Sequence, residues 1–204
     1  FNGRFFGLID DEDWKRAIET QDTSLIKKIS AARKKSKNGI YALLFGAGDA
    51  KFANTLGYRS SAEGKRVKET YFTRLPKVKD LIDRLESQWK RNAWRNGGYI
   101  EVAGGTMVWC PSQHKLLNYL LMGSEAVLQN EAICWVNMQM LKRKLQGNQL
   151  AAIHDELTFE FNKLHENEGK WLLSQMYGEA SDRLGLQVRV TGTAQSGRNW
   201  LDIH

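Results

Sequence analysis

Two hundred and four residues, 42% hydrophobic and 26% charged, can bury a core as one large domain or two small subdomains. Thirty lysines and arginines against 23 acids leave a net charge of +7, which points to a polyanionic partner, nucleic acid being the commonest. No apolar run approaches the roughly 18 residues of a membrane span, no signal peptide is visible at Phe1, and Cys110 and Cys134 are too few for a disulfide framework and suit a reducing cytosol. Only two prolines, Pro76 and Pro111, suggest long helices and few rigid linkers. In chain order, Asp10-Asp11-Glu12-Asp13 ahead of Trp14 reads as a helix start, where carboxylates meet the N-terminal dipole. A helix over about 31–45 should end at Gly46 and Gly48. Apolar residues then recur at three and four over 62–92, with Pro76 beginning or kinking a second helix there. The period changes after 92–98, the best boundary. Residues 99–102 and 106–109 read as a hairpin with Gly104 and Gly105 in the turn, followed by a helix over about 115–145. Runs at 150–153 and 157–161 flank His154-Asp155-Glu156 as strand, turn and strand. A helix over 166–184 and a strand over 187–193 close a mixed α+β chain.

The run RKKSKNGIYALLFGAGD carries the most chemistry. Arg33, Lys37, Tyr41 and Phe45 are each four apart, so on a helix they project along one slowly drifting face. Two adjacent turns of positive charge can hold a polyphosphate, and the rings beyond them can pack on a sugar and a base. Arginine suits a fork grip on phosphate oxygens, lysine a movable point charge that can donate a proton. The same spacing also fits a basic amphipathic helix whose aromatic stripe is core. Downstream, Asp155 at a tight strand junction can serve a divalent cation as a hard oxygen ligand, magnesium using few carboxylates and keeping several waters. A lone His-Asp-Glu also fits a solvated turn.

Together the R-x3-K-x7-[FY]-G spacing, continued by Ala47-Gly48-Asp49, and the downstream His154-Asp155-Glu156 resemble the family A DNA polymerases, the polymerase I type, and in particular the phage replicase branch. The resemblance implies a helical fingers subdomain over 1–93, with a nucleotide-binding helix about 31–45, and over 94–204 the C-terminal part of a palm with an antiparallel sheet. It places Arg33 on the outer phosphates, Lys37 on the α-phosphate, Tyr41 against the incoming sugar, and Phe45 where most members have tyrosine. Tyrosine at position 41 is associated with tolerance of a 3′-deoxy sugar. Gly46 and Asn118 fall at DNA-contacting positions, His154 at the primer end, Asp155 on catalytic metal and Glu156 beside it. Met122 stands where the family has a minor-groove glutamine, and methionine offers no comparable hydrogen bond. The ending Gly197-Arg198-Asn199-Trp200-Leu201-Asp202-Ile203-His204 is similar to the phage branch terminus.

Two-metal catalysis needs ligands from more than one acidic position. The family's other essential aspartate, in a D-x-S-x-[IL]-E strand motif, has no counterpart before Arg33, and a thumb and an exonuclease domain are missing too. The expectation is therefore one piece of a split or cleaved DNA-directed DNA polymerase, inactive alone. It would use Mg2+, primer-template DNA and deoxynucleoside triphosphates, beside a second polypeptide carrying the rest of the palm and the thumb. A processivity factor is a further candidate partner, a membrane is not, and the setting is the cytoplasm, the host's if the chain is phage-encoded. Two alternatives stay open: a non-catalytic DNA-binding polymerase remnant, and a fragment of a single-subunit RNA polymerase. Tyr41, and glutamate rather than serine at 156, argue against the second.

Overall fold

The computed structural model describes residues 2–94 and 97–203, apart from the side chains of Asn2 and Arg4. His204, and Arg95 and Asn96 within the expected boundary, lie outside the described residues. Among the described residues the architecture is mixed α+β, helices with two small two-stranded sheets. It divides into two compact units: Phe1–Ile100 with Trp109–Tyr119, and Glu101–Val108 with Leu120–His204.

The first unit is helical. After α1 (Asn2–Phe5), α2 (Asp11–Thr20) starts where the acidic run led one to expect, with the Asp10 carboxylate accepting from the Asp13 backbone N–H and three acids in its first turn. The nucleotide-binding helix expected from residue 31 begins earlier: α3 spans Thr23–Leu44, because Asp22 caps it through the backbone N–H groups of Ser24 and Leu25. A short helix not legible in the sequence, α4 (Asp49–Leu56), follows. Then come α5 (Ser61–Arg74), opened by a reciprocal Ser60–Glu63 capping box, and α6 (Pro76–Arg91), with proline at its first position. Burial of Ala32, Ser36, Gly39 and Leu43 defines the inner face of α3. Gly39 permits the close packing: a Cβ there would stand 2.6 Å from Leu56 and 3.2 Å from Phe6. The core is Phe6, Leu43, Phe52, Leu56, Val67 and Tyr71, and the Phe6 ring packs edge-on to Phe52 and stacked on Tyr71.

Strands β1 (Gly98–Glu101) and β2 (Met107–Cys110) form the expected hairpin, with Gly104 and Gly105 at φ +67° and +76° in its turn. The long helix α7 (Leu116–Arg143) leads into the second unit. There β3 (Gly147–Ile153) pairs antiparallel with β4 (Glu156–Phe161), a bulge at Leu150 interrupting the register, and α8 (Glu166–Arg183) follows. The hairpin's Leu157 and the facing sides of α7 and α8 share one core, in which Ala132, Val136, Leu172 and Ala180 are wholly buried.

The strand expected over 187–193 does not form. Its alternation favours an extended backbone, but a ladder needs an edge to pair with, and among the described residues the only ladders are β1–β2 and β3–β4. The segment is instead tethered to α8: Arg189 meets Asp182 at 3.1 Å and Glu179 at 3.5 Å, and the Val190 N–H donates to Ser181 Oγ at 3.0 Å. No described helix is long and apolar enough to cross a membrane.

Candidate functional site

The basic–aromatic stripe lies on the outer side of α3. Arg33, Lys37, Tyr41 and Phe45 are all exposed, the two rings by 47% and 53%, so the aromatic stripe is not core. The cation of Lys37 stands 5.8 Å from the centre of the Tyr41 ring, and Tyr41 stacks on Phe45 at 6.3 Å with 26° between the planes. Ammonium, phenol and phenyl thus form one continuous row, with the Arg33 guanidinium a turn before it. Arg33, Lys34, Lys37 and Tyr41, with Ser30 and Ile40, line an open concavity of about 550 Å³. None of these lining residues is acidic, so an anion entering there meets three cations and no carboxylate. The volume falls in the range of small-ligand sites.

The stripe ends in a tightly determined cap. Gly46 has φ +68°, its N–H donates to the Leu43 carbonyl, and the Ala47 N–H donates to the Ala42 carbonyl, the two bonds of a Schellman motif. Lys68 on α5 holds the start of α4 against this cap. Its ammonium donates to the Ala47 carbonyl, pairs with the Asp49 carboxylate at 2.9 Å and lies 5.4 Å from the Phe52 ring centre. Sequence reasoning missed Lys68, since one lysine on a basic helix carries no local signal.

In the second unit, His154 and Asp155 make a two-residue turn between the paired residues Ile153 and Glu156. His154 adopts φ +54°, a left-handed conformation that costs a non-glycine residue about 1–2 kcal/mol. All three side chains of His154-Asp155-Glu156 are exposed, and the Glu156 carboxylate accepts from the Thr158 hydroxyl at 3.3 Å. Two residues that sequence reasoning missed hold the turn's backbone. Gln129 Nε2 on α7 donates to the His154 carbonyl at 2.8 Å, and the Tyr177 hydroxyl on α8 donates to the Asp155 carbonyl at 3.1 Å. Burial pushes the Tyr177 phenol above its ordinary range, the charges of Asp155 and Glu125 push the same way, and the nearby Gln129 amide opposes them. The phenol therefore stays a donor. A signal for Gln129 was present: positions 118, 122, 125 and 129 recur at helical spacing, so Asn118, Met122, Glu125 and Gln129 share one side of α7. Asn118 is half-buried and Met122 exposed.

Asp155 and Glu156 offer adjacent exposed carboxylates, the hard oxygen donors that a magnesium ion takes. Among the described residues no group of three or more His, Cys, Asp and Glu side chains stands together as a metal cage. The two carboxylates have the right chemistry for a hard divalent cation and do not by themselves complete a site. The stripe belongs to the first unit, with Asn118, and the turn to the second.

Residues 14–202 match the family model of DNA polymerase family A. The chain belongs to that family. It is 27% identical over 184 residues to a DNA-directed DNA polymerase of Escherichia phage Phieco32, an alignment covering 84% of this chain and 28% of the phage protein. It is 25% identical over 215 residues to DNA polymerase I of Borreliella burgdorferi, covering 97% of this chain and 23% of that enzyme. The DNA-directed DNA polymerase of Escherichia phage T7 matches at 24% identity over 75% of this chain and 24% of its own. The chain thus spans about a quarter of the length of these family A relatives. In fold it is similar to the polymerase domain of Pol1 from M. smegmatis, solved in complex with DNA primer-template and dNTP, with a TM-score of 0.67 and 22% identity over 88% of this chain and 31% of that one.

Proposed function

We propose that this chain is part of a template-directed DNA polymerase that adds deoxynucleotides to a primer 3′ end by two-metal phosphoryl transfer. The remaining catalytic aspartate, the rest of the palm and the thumb come from outside these 204 residues, which span about a quarter of the length of the family A relatives. The observation that carries the reading is the exposed row of Arg33, Lys37, Tyr41 and Phe45 on one helix of a family A chain. Residues 1–93 act as fingers and 94–204 as the C-terminal part of the palm, at work in the cytoplasm.

Phosphoryl transfer asks a protein mainly to position groups and neutralise charge. Arg33 grips the outer phosphates with its planar fork, and Lys37 sits at the α-phosphate. As the primer 3′-oxygen forms its bond to the α-phosphorus and the bond to the bridging oxygen breaks, Lys37 gives its proton to the leaving pyrophosphate. Tyr41 packs against the sugar, which favours acceptance of 3′-deoxy chain terminators, and Phe45 stacks beneath the base without a hydroxyl to hydrogen-bond. Gly46 and Asn118 lie along the DNA, and His154 touches the primer end. Asp155 would hold magnesium, with Glu156 beside it. The bound ions, when present, supply charge neutralisation on the phosphates and a more acidic 3′-hydroxyl. Asp155 and Glu156 would be joined there by further acidic ligands from outside these 204 residues, since two-metal transfer needs carboxylates from more than one position.

Primer extension by material from the native source, with co-purifying polypeptides retained, tests this reading. Extension with deoxynucleotides and magnesium should vanish in Asp155→Ala and fall by about 10²–10³ in Arg33→Ala, the scale of losing one charge-stabilising group. The chain alone should bind DNA weakly and extend nothing. A second reading, a non-catalytic DNA-binding remnant, is favoured by Met122, 57% exposed where a hydrogen-bonding side chain would check the duplex. Duplex binding without extension by the native-source material, co-purifying polypeptides retained, would establish it, and extension with ribonucleotides would establish an RNA polymerase fragment.

A further inference from the structure

We propose that Gln129 and Tyr177 are positioning residues for Asp155, acting through the backbone of the His154–Asp155 turn to aim its carboxylate; this rests on the reading of Asp155 as a metal ligand. The His154 carbonyl belongs to the peptide unit before the Asp155 Cα, and the Asp155 carbonyl to the unit after it. Gln129 Nε2 fixes the first at 2.8 Å and the Tyr177 hydroxyl fixes the second at 3.1 Å. Two pinned peptide planes that meet at one Cα determine φ and ψ there, and hence the direction of the Cα–Cβ bond. The hairpin ladder pairs only the residues flanking the tip, here Ile153 and Glu156, so these two bonds add to the turn's own geometry at Asp155.

The donors stand on separate, firmly seated helices. Gln129 follows buried Leu128 on α7 and Tyr177 follows buried Met176 on α8, and both of those residues belong to the second unit's core. The left-handed conformation of His154 needs such support, since a strained φ persists when its surroundings over-determine it. The exposed Asp155 carboxylate is thereby left to a ligand while its backbone is tied to the core. Supporting groups of this kind typically change metal affinity by about 10–100-fold when removed.

The test uses the isotopically labelled 204-residue chain, its Gln129→Met, Tyr177→Phe and double variants, and Asp155→Asn. Backbone order parameters at 154–156 report the grip, and Mn2+ broadening of the same amides reports metal affinity. In the double variant the turn should fall from the rigid value of about 0.85 toward about 0.6 while β3, β4 and α8 stay rigid. Its Mn2+ affinity should drop roughly tenfold, with each single variant in between. An unchanged order parameter overturns the proposal whatever the metal does. A loosened turn with unchanged Mn2+ affinity, where Asp155→Asn abolishes binding, overturns the positioning role and leaves the metal reading standing. Mn2+ binding untouched by Asp155→Asn overturns the metal reading, and the positioning role with it. Loss of order throughout β3, β4 and α8 in both single variants makes the two residues structural supports and overturns the proposal as well.

Discussion

Gly46 lies against the backbone carbonyl of His114 so closely that a Cβ on it would collide with the oxygen, and its φ of +68° is one that side chains disfavour. Both constraints act on the residue that ends the basic–aromatic helix. Gly46→Ala should therefore destabilise the first unit by about 2 kcal/mol or more, since the left-handed penalty and a backbone clash add. Gly48, two residues on, has φ −61° and open space around it, and it caps α4 without a side-chain bond. Gly48→Ser should supply that bond and raise stability by a few tenths of a kcal/mol. Urea unfolding of the pair checks both signs.

The stripe itself should tolerate substitution. Arg33, Lys37, Tyr41 and Phe45 are exposed, so alanine at any of them should leave stability within about 0.5 kcal/mol. Triphosphate affinity should respond instead, falling about 10–100-fold for Arg33→Ala or Lys37→Ala, the range of a lost charged hydrogen bond. Titration of a deoxynucleoside triphosphate at two salt concentrations measures this, the affinity dropping at the higher one. Equal losses of stability and affinity would mean that the stripe is scaffold.

Asp22 sets where the helix begins. Its carboxylate accepts from two backbone N–H groups at the start of α3, and Asp22→Ala should cost about 1 kcal/mol. Asp22→Asn, which keeps the acceptor, should recover most of it. The same denaturation curves suffice.

Alkaline pH should unfold the first unit earlier than its lysines alone would require. Burial raises the phenols of Tyr58 and Tyr71 above the ordinary tyrosine value, and the Tyr58 hydroxyl donates to the Phe6 carbonyl. The folded state therefore keeps protons that the unfolded chain releases. Its stability is fully present below the ordinary value of about 10 and is lost as pH rises through the raised folded values. A Tyr58→Phe, Tyr71→Phe double variant should show a shallower fall of unfolding free energy between about pH 9.5 and 11.

Local signals carried far in this chain because they are short-range. The acids at 10–13, Pro76, the paired glycines at 104–105 and the His-Asp-Glu tip each act within one turn of backbone, and each marks an element where its chemistry predicts. The spacing Arg33, Lys37, Tyr41, Phe45 is likewise a property of helix geometry, and the row of cation and rings follows from it. The start of α3 at Thr23 escapes the apolar periodicity, although its signal, Asp22, is local.

Tertiary structure decided the rest. Alternation at 187–193 could specify only an extended backbone, and whether that becomes a strand depends on an edge to pair with; here α8 holds the segment by side chains instead. The grips of Lys68 on Ala47 and Asp49, and of Gln129 and Tyr177 on the turn, join residues 19 to 25 positions apart. Composition and periodicity decay over a few residues, so contacts of that separation become visible only once packed helices bring them together. The sequence by itself determined which cations, rings and carboxylates this chain presents; folding decided which backbone holds them still.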